Sequence, residues 1–466
     1  MPLSLSRRAF VGGSALLPIA CGPFAASLPA QTRRPAPANP LVRQRADAQV
    51  FRHEDGYYYL TGSVPEYDRL VLRRSRTIAG LASAEERVLW RHEATGPMSG
   101  FIWAPELHWM DGRWIMYFAA GPSGGGEDVF RIRTFAVICD RPDPMAGNWS
   151  VLGQFDAPWD SFCLDSTSFI HRGTRYFAWA QREPGIETNS NLYIAPLASP
   201  LKLGAAATRL SVPTLDWEIR GFKVNEAPAV LARNGRLFMA YSASATDARY
   251  CLGLLAAPDD ADIMDPNAWA KAPEPVFVTC RETGVFGPGH NSFTVDEEGR
   301  DLLVYHGRDY AAITGDPLFD PNRHTRVQRL YYKPDGSPDF GVPVGNGPMP
   351  VRLLGNTGNT ALTHDGPRLH ASGGNLPQTQ FRIEPSDAQG LLTISPILRP
   401  TECVTVTGTG VLRLAARSGG PEQRFAMRSD SSGKMRFESA AIRGQAIAAT
   451  GDRLVAASEA AFWTVD

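Results

Sequence analysis

Cysteine is scarce, with six residues in a chain of 466: Cys21, Cys139, Cys163, Cys251, Cys280 and Cys403. No two are spaced as a CxxC pair, so neither a zinc cage nor a dithiol redox site has support. Beyond Cys21 five remain, an odd number that leaves at least one unpaired. A surplus of one charge is lacking too. Lys+Arg is 47 and Asp+Glu is 48, which excludes the basic surface that a nucleic-acid binder needs. No apolar run approaches the roughly 20 residues of a membrane-spanning helix, and helical periodicity is nearly absent. What is present is a large potential core: 43 % of the residues are hydrophobic and 10 % of the chain is aromatic, with 44 Gly and 37 Pro. That balance excludes a disordered, collagenous or coiled-coil chain.

The N-terminus reads as an export address. Arg7 and Arg8 precede a moderately apolar stretch from Phe10 to about Ala20, the pattern of a bacterial twin-arginine (Tat-type) signal peptide. The expected signal is 1–30, with cleavage after Ala30 and delivery to the periplasm or the exterior. Cys21 offers a competing lipoprotein site. Residues 31–40 form a Pro-rich linker.

A short pattern then recurs five times: an apolar run, a Gly-containing turn, and a second run of aromatic and β-branched residues. The turn glycines are Gly56, Gly112, Gly173, Gly235 and Gly299. Strand, glycine turn, strand is a hairpin. Five hairpins about 60 residues apart leave room for two more strands in each unit, which predicts a five-bladed β-propeller with four strands per blade over 41–345.

Eight or nine residues before each glycine stand Asp47, Trp103, Asp165, Glu226 and His290. If the strand before each turn is innermost, these five residues meet at one rim of the central channel. A single acid there could simply cap a strand end. Several carboxylates converging on one narrow well point instead to a site that uses them. Two carboxylates across a pocket suit glycoside hydrolysis, a third can tune the first, and Trp103 offers a face for a sugar ring.

These residues carry a resemblance. From about 40 to 345 the chain resembles glycoside hydrolase family 43, through Arg45-Ala46-Asp47, Ile102-Trp103-Ala104-Pro105-Glu106, Leu164-Asp165-Ser166, Val224-Asn225-Glu226-Ala227-Pro228 and Gly289-His290-Asn291 in that order. The resemblance implies a five-bladed propeller that inverts the anomeric carbon. In it Asp47 is the general base, Glu226 the general acid, and Asp165 the group that orients and tunes the acid. His290 is implied as a channel histidine able to contact calcium through water, and Arg326 as a substrate-contacting arginine. No cofactor is required for the chemistry. Two residues depart from the family pattern: Ala48 stands where Pro is common, and Ala227 where Gly is common. The Tyr-rich stretch Tyr57-Tyr58-Tyr59-Leu60-Thr61-Gly62 resembles the α-L-arabinofuranosidase branch, which implies arabinan or arabinoxylan-type substrates and action as a monomer.

From 350 to 466 a threefold pattern follows: Arg368-Leu369-His370-Ala371, Leu412-Arg413-Leu414-Ala415 and Arg453-Leu454-Val455-Ala456, each trailed by Phe381, Phe425 or Phe462. Three all-β units of about 40 residues predict a β-trefoil-like module, with a β-sandwich as the alternative and sugar binding as one use. The competing functions are a β-xylosidase or endo-arabinanase of the same family and, in another class, a carbohydrate-binding propeller without catalysis.

Overall fold

In the computed structural model the described residues are 36–466, except 125–127, 356–357, 359, 387–389 and 459–460. The expected signal 1–30 and the Cys21 alternative lie outside them, as do residues 31–35 of the linker. Among the described residues helix is limited to short 3-10 turns, and no helix is long and apolar enough to cross a membrane.

Five antiparallel sheets form the propeller. Their innermost strands are Ala46–Arg52, Gly100–Met110, Cys163–His171, Asn225–Arg233 and Phe286–Val295. Each pairs with the strand beyond its glycine turn, and then outward through a third strand and, in blades 1 to 4, a fourth. The turns explain the glycines. At Asp111-Gly112, Arg172-Gly173 and Asn234-Gly235 both residues have positive φ, the two-residue turn whose twist matches a hairpin. Large side chains such as Trp114, Tyr117, Trp179, Tyr193 and Tyr241 are fully buried in and between the blades, where a flat aromatic ring fills the wedge between twisted sheets.

Blade 5 has three strands of its own, Phe286–Val295, Asp301–Arg308 and His324–Arg329. Its outer edge is completed by the start of the described chain. Leu41 N–H donates to Thr325 O at 2.8 Å, Thr325 N–H donates to Val42 O at 2.9 Å, and the Asn39 amide side chain spans Val327 N and O at 2.8 and 2.9 Å. Two ends of the propeller sequence are thereby stitched into one blade, which closes the ring. The inner strands are also tied sideways. The Gln49 side chain bonds both Leu107 N and Leu107 O across to blade 2, and Ser292 Oγ lies between Ala48 O and Val50 N of blade 1.

The C-terminal module is one twelve-stranded arrangement. Val351–Leu354, Gln380–Pro385, Leu392–Pro396, Phe425–Ser429, Met435–Ser439 and Thr464–Val465 pair in a ring, closed through Met435 with Trp463 and through Leu353 with Val465. Three hairpins cap it, and their second strands are Arg368–Ser372, Leu412–Ala416 and Arg453–Ala457. Those strands are the three sequence repeats, and they meet at Arg368–Arg413, His370–Arg453 and Val411–Val455. A six-stranded barrel capped by three hairpins is a β-trefoil, not a sandwich. In the third unit the core position goes to Trp463, which is buried beside Phe381 and Phe425, whereas Phe462 is only half-buried. Cys139, Cys163, Cys251, Cys280 and Cys403 are all buried and unpaired.

Candidate active site

Each inner strand is interrupted near its start by a β-bulge. The register shifts fall at Ala46/Gln49, Trp103/Glu106, Leu164/Thr167, Glu226/Ala229 and Gly289/Ser292. At every bulge one residue has left-handed backbone: Asp47 (φ 53°), Ala104 (φ 45°), Asp165 (φ 50°), Ala227 (φ 53°) and His290 (φ 43°). Non-glycine residues held there cost on the order of 1–3 kcal/mol each, and such strain gathers at functional sites. The bulges turn side chains out of the ladder and into the channel mouth.

This corrects the expected register. Counting back from the glycines treats the five residues as one position. In space Asp47, Asp165 and His290 share the left-handed place with Ala104 and Ala227, whereas Trp103 and Glu226 stand one residue earlier, level with Leu164. The alanines take the left-handed place in the two blades whose functional side chain precedes it. The same geometry accounts for the family's glycine at 227, since a residue without Cβ adopts this φ freely.

Asp47, Trp103, Asp165, Glu226 and His290 nevertheless line one depression, about 760 Å³ including its open mouth. Its floor is buried, and its rim carries Phe222 and Phe130, 52 % and 37 % exposed. Trp103 meets Tyr67 and Phe101 edge-on at 5.5 and 5.3 Å between ring centroids, so its plane is held on two sides.

The three acids have different surroundings. Ser63 Oγ donates to Asp47 Oδ2 at 2.6 Å and accepts from Ala104 N–H at 2.8 Å. On the other oxygen, Arg323 Nη1 donates to Asp47 Oδ1 at 3.2 Å, with His306 Nδ1 at 3.2 Å and His290 Nδ1 at 3.4 Å. Burial alone would raise this carboxyl, but Arg323 and the two imidazoles outweigh it and hold Asp47 well below the usual carboxylate range. Glu226 has no cation at hydrogen-bond distance. Burial pushes it up to about 7, against the opposing pull of one hydrogen bond, Tyr250 O–H to Oε1 at 2.7 Å. Asp165 is raised as well, by burial and by repulsion from Glu226 and Asp47, while the Ala227 N–H donates to it. Asp165 thus grips the backbone next to Glu226 and competes with it for a proton. One acid is held ionised and another is raised toward neutral pH in the same pocket, the division that acid–base chemistry requires.

Arg326 is elsewhere. It is fully buried, pairs with Asp309, and donates to Asn346 Oδ1 at 3.0 Å and Val344 O at 3.1 Å. It pins the segment leading from blade 5 into the trefoil and does not line the pocket. The pocket arginine is Arg323, three residues earlier, whose Nη2 also donates to Tyr67 O–H at 2.8 Å. The two arginines should therefore separate by assay. Arg326→Ala is expected to destabilise the fold by about 1–3 kcal/mol, as leaving the buried acceptors Val344 O and Asn346 Oδ1 without their donor does, with kcat/KM on the remaining folded protein unchanged. Arg323→Gln should instead cut kcat and move the acid limb of the pH profile upward, because Asp47 loses the cation that keeps it ionised. Thermal melts paired with kinetics read both.

His290 faces the carboxylates of Asp47 and Asp165, at 3.4 and 3.8 Å. Calcium takes six to eight oxygen ligands, and among the described residues no group of three His, Cys, Asp or Glu side chains is arranged to hold a metal ion. Among the described residues those around His290 do not make a calcium cage by themselves.

Tyr250, His306, Ser63 and Arg323 escaped the sequence reading. Ser63 ends the second strand of blade 1 opposite Ala46, the residue before Asp47, so a completed hairpin register would have found it. Tyr250 and Arg323 enter from loops between outer strands and carry no local signal.

The pattern of glycosyl hydrolases family 43 matches residues 37–338. The chain is 45 % identical over 429 residues to an α-L-arabinofuranosidase 43 of Humicola insolens, covering 87 % of this chain and 88 % of that one. It is 49 % identical over 349 residues to an extracellular exo-α-(1→5)-L-arabinofuranosidase of Streptomyces avermitilis, covering 74 % and 72 %. A crystal structure of an α-L-arabinofuranosidase from Lactobacillus brevis superposes with a TM-score of 0.65 at 49 % identity, over 66 % of this chain and 98 % of that one. With the propeller, the pocket and these matches together, the chain belongs to the glycosyl hydrolases of family 43.

Proposed function

We propose that this glycoside hydrolase releases terminal L-arabinofuranosyl units from arabinan or arabinose-containing hemicellulose, with inversion. The observation that carries the reading is one pocket that brings Asp47 and Glu226 together with unlike partners: Arg323, Ser63 and two imidazoles on Asp47, and a tyrosine hydroxyl on Glu226. Asp47, ionised, draws a proton from water as that water attacks the anomeric carbon. Glu226, raised to about 7 and so still carrying a proton in a large fraction of molecules near neutral pH, delivers that proton to the departing glycosidic oxygen. Asp165 holds the backbone beside Glu226 and keeps the pair's proton in the pocket. Trp103 supplies a fixed apolar wall for the sugar ring. These roles are filled by the chain's own side chains, and by a single copy of it, which supports action as a monomer without a cofactor.

Relatives named as α-L-arabinofuranosidases and exo-α-(1→5)-L-arabinofuranosidases support the substrate and the exo mode. Two relatives are named extracellular, which supports export by the Tat-type signal read at 1–30. Catalysis is placed in 41–345. The module 350–466 is assigned a supporting role, because its Phe381, Phe425, Phe437 and Trp463 all face its own core and Val411 is the large apolar side chain it exposes among the described residues.

Five strand starts converging on one rim make a well that takes one terminal ring. Incubation with arabinan is therefore expected to yield single arabinose units from the outset, followed by chromatography of early time points. A rapid viscosity drop, or oligomers preceding arabinose, would mean an open cleft and an endo-arabinanase. Faster release of xylose from xylobiose than of arabinose from any arabinoside would mean a β-xylosidase.

A further inference from the structure

The mechanism leaves one buried side chain unused. Tyr250 sits between the last two blades, 2 % exposed, and its hydroxyl donates to Glu226 Oε1 at 2.7 Å. Its ring lies parallel to that of His306, 2° between planes and 5.6 Å between centroids, and His306 in turn contacts Asp47. The space for this ring is made by a glycine: a Cβ on Gly289 would stand 2.3 Å from Tyr250 Cδ1 and Cε1. The ring is thus fixed by stacking on one side and by bare backbone on another, and its hydroxyl cannot wander from Glu226.

A carboxylic acid carries its proton on one of two oxygens. Tyr250 is a donor, with a hydroxyl that burial and the neighbouring acids keep protonated, so the oxygen it occupies is the one without the proton. We propose that Tyr250 is a positioning residue for the acid step: by donating to Glu226 Oε1 it leaves the transferable proton on Oε2, and it then stabilises the carboxylate once that proton has gone. The step balances simply. The Oε2–H bond breaks, the proton goes to the glycosidic oxygen as its bond to the anomeric carbon breaks, and Tyr250 keeps its own proton throughout.

This inference rests on Glu226 being the proton donor. The groups that share the pocket with Glu226 are Asp47 from blade 1, Asp165 from blade 3, Tyr250 from blade 4, His290 from blade 5, and Arg323 from the loop before the last strand, with His306 stacked on Tyr250. Of these Tyr250 alone donates a hydrogen bond to it at short range, so removing the hydroxyl changes Glu226 most.

The test is the pH dependence of kcat/KM for Tyr250→Phe, on one arabinoside with a poor leaving group and one with a good leaving group. A hydrogen bond to a charged acceptor is worth about one pK unit or more. Without it Glu226 holds its proton to higher pH, and the alkaline limb is expected to move up by about one unit. At the plateau, turnover should fall by about tenfold on the poor leaving group and much less on the good one. Replacement of Tyr250 by 3,5-difluorotyrosine keeps the shape, strengthens the donor and should move the limb the other way. An unmoved limb in both variants, or an equal loss on both substrates, would overturn the inference. The reading beneath it fails separately, if Glu226→Ala loses activity equally on both leaving groups.

Discussion

Asp47→Asn is expected to lose turnover on every arabinofuranoside alike, by at least about 10²–10⁴-fold. Asparagine keeps the shape, and its amide can still meet Ser63 and Arg323, which hold the native carboxylate at 2.6 and 3.2 Å. It cannot take a proton from water. The loss should not depend on the leaving group, because the single displacement step needs an activated water whichever group departs. Steady-state rates on an aryl arabinofuranoside and on an arabino-oligosaccharide check this. Retention of activity within tenfold of the parent would remove Asp47 from the base role. The native enzyme should also keep its activity well into mildly acidic pH, since Arg323 and the two histidines hold Asp47 ionised there.

Glu226→Ala should behave differently. On natural arabinosides, whose leaving alkoxide needs a proton, the expected loss is again about 10²–10⁴-fold. On substrates whose leaving group departs readily as an anion, most of the rate should survive. The parent's pH profile carries the same information with its sign determined. The acid must be protonated to act, and Glu226 is pushed up to about 7, so activity should fall as pH rises beyond that value. The limb belongs to Asp165 and Glu226 together, because their charges interact. In Glu226→Ala the alkaline limb should disappear for good leaving groups. Equal losses on both substrate classes would mean that Glu226 does not donate the proton.

The glycines of the five hairpin turns were legible because every one of them has positive φ, 70–81°, a conformation that glycine adopts more freely than any other residue. Asp47, Asp165 and His290 were legible because they recur at nearly constant distance from those turns. The distance misled at Trp103 and Glu226. A bulge adds one residue to a strand without changing its partner, and counting along the chain cannot see on which side of that residue a side chain projects. The resemblance implied Arg326 as the substrate arginine, but the pocket takes Arg323. Arg323 precedes the last strand of blade 5 and reaches the rim, whereas Arg326 lies inside that strand and turns toward Asp309 and Asn346. Tyr250 was invisible because its place depends on a glycine 39 positions away in sequence, in the next blade. In the trefoil the repeats were plain, since each occupies the same strand of a capping hairpin. The third core aromatic was displaced by one, from Phe462 to Trp463, because the last barrel strand is entered at a different point.

The most direct test of the account is the configuration of the first-formed product. Proton NMR of an α-L-arabinofuranoside during hydrolysis, with enough enzyme to outrun mutarotation, should show β-L-arabinose appearing first. That result follows if Asp47 activates a water on the face opposite the bond that Glu226 helps to break. First appearance of the α anomer would mean a covalent intermediate and a nucleophilic carboxylate, and would contradict the roles assigned to both acids.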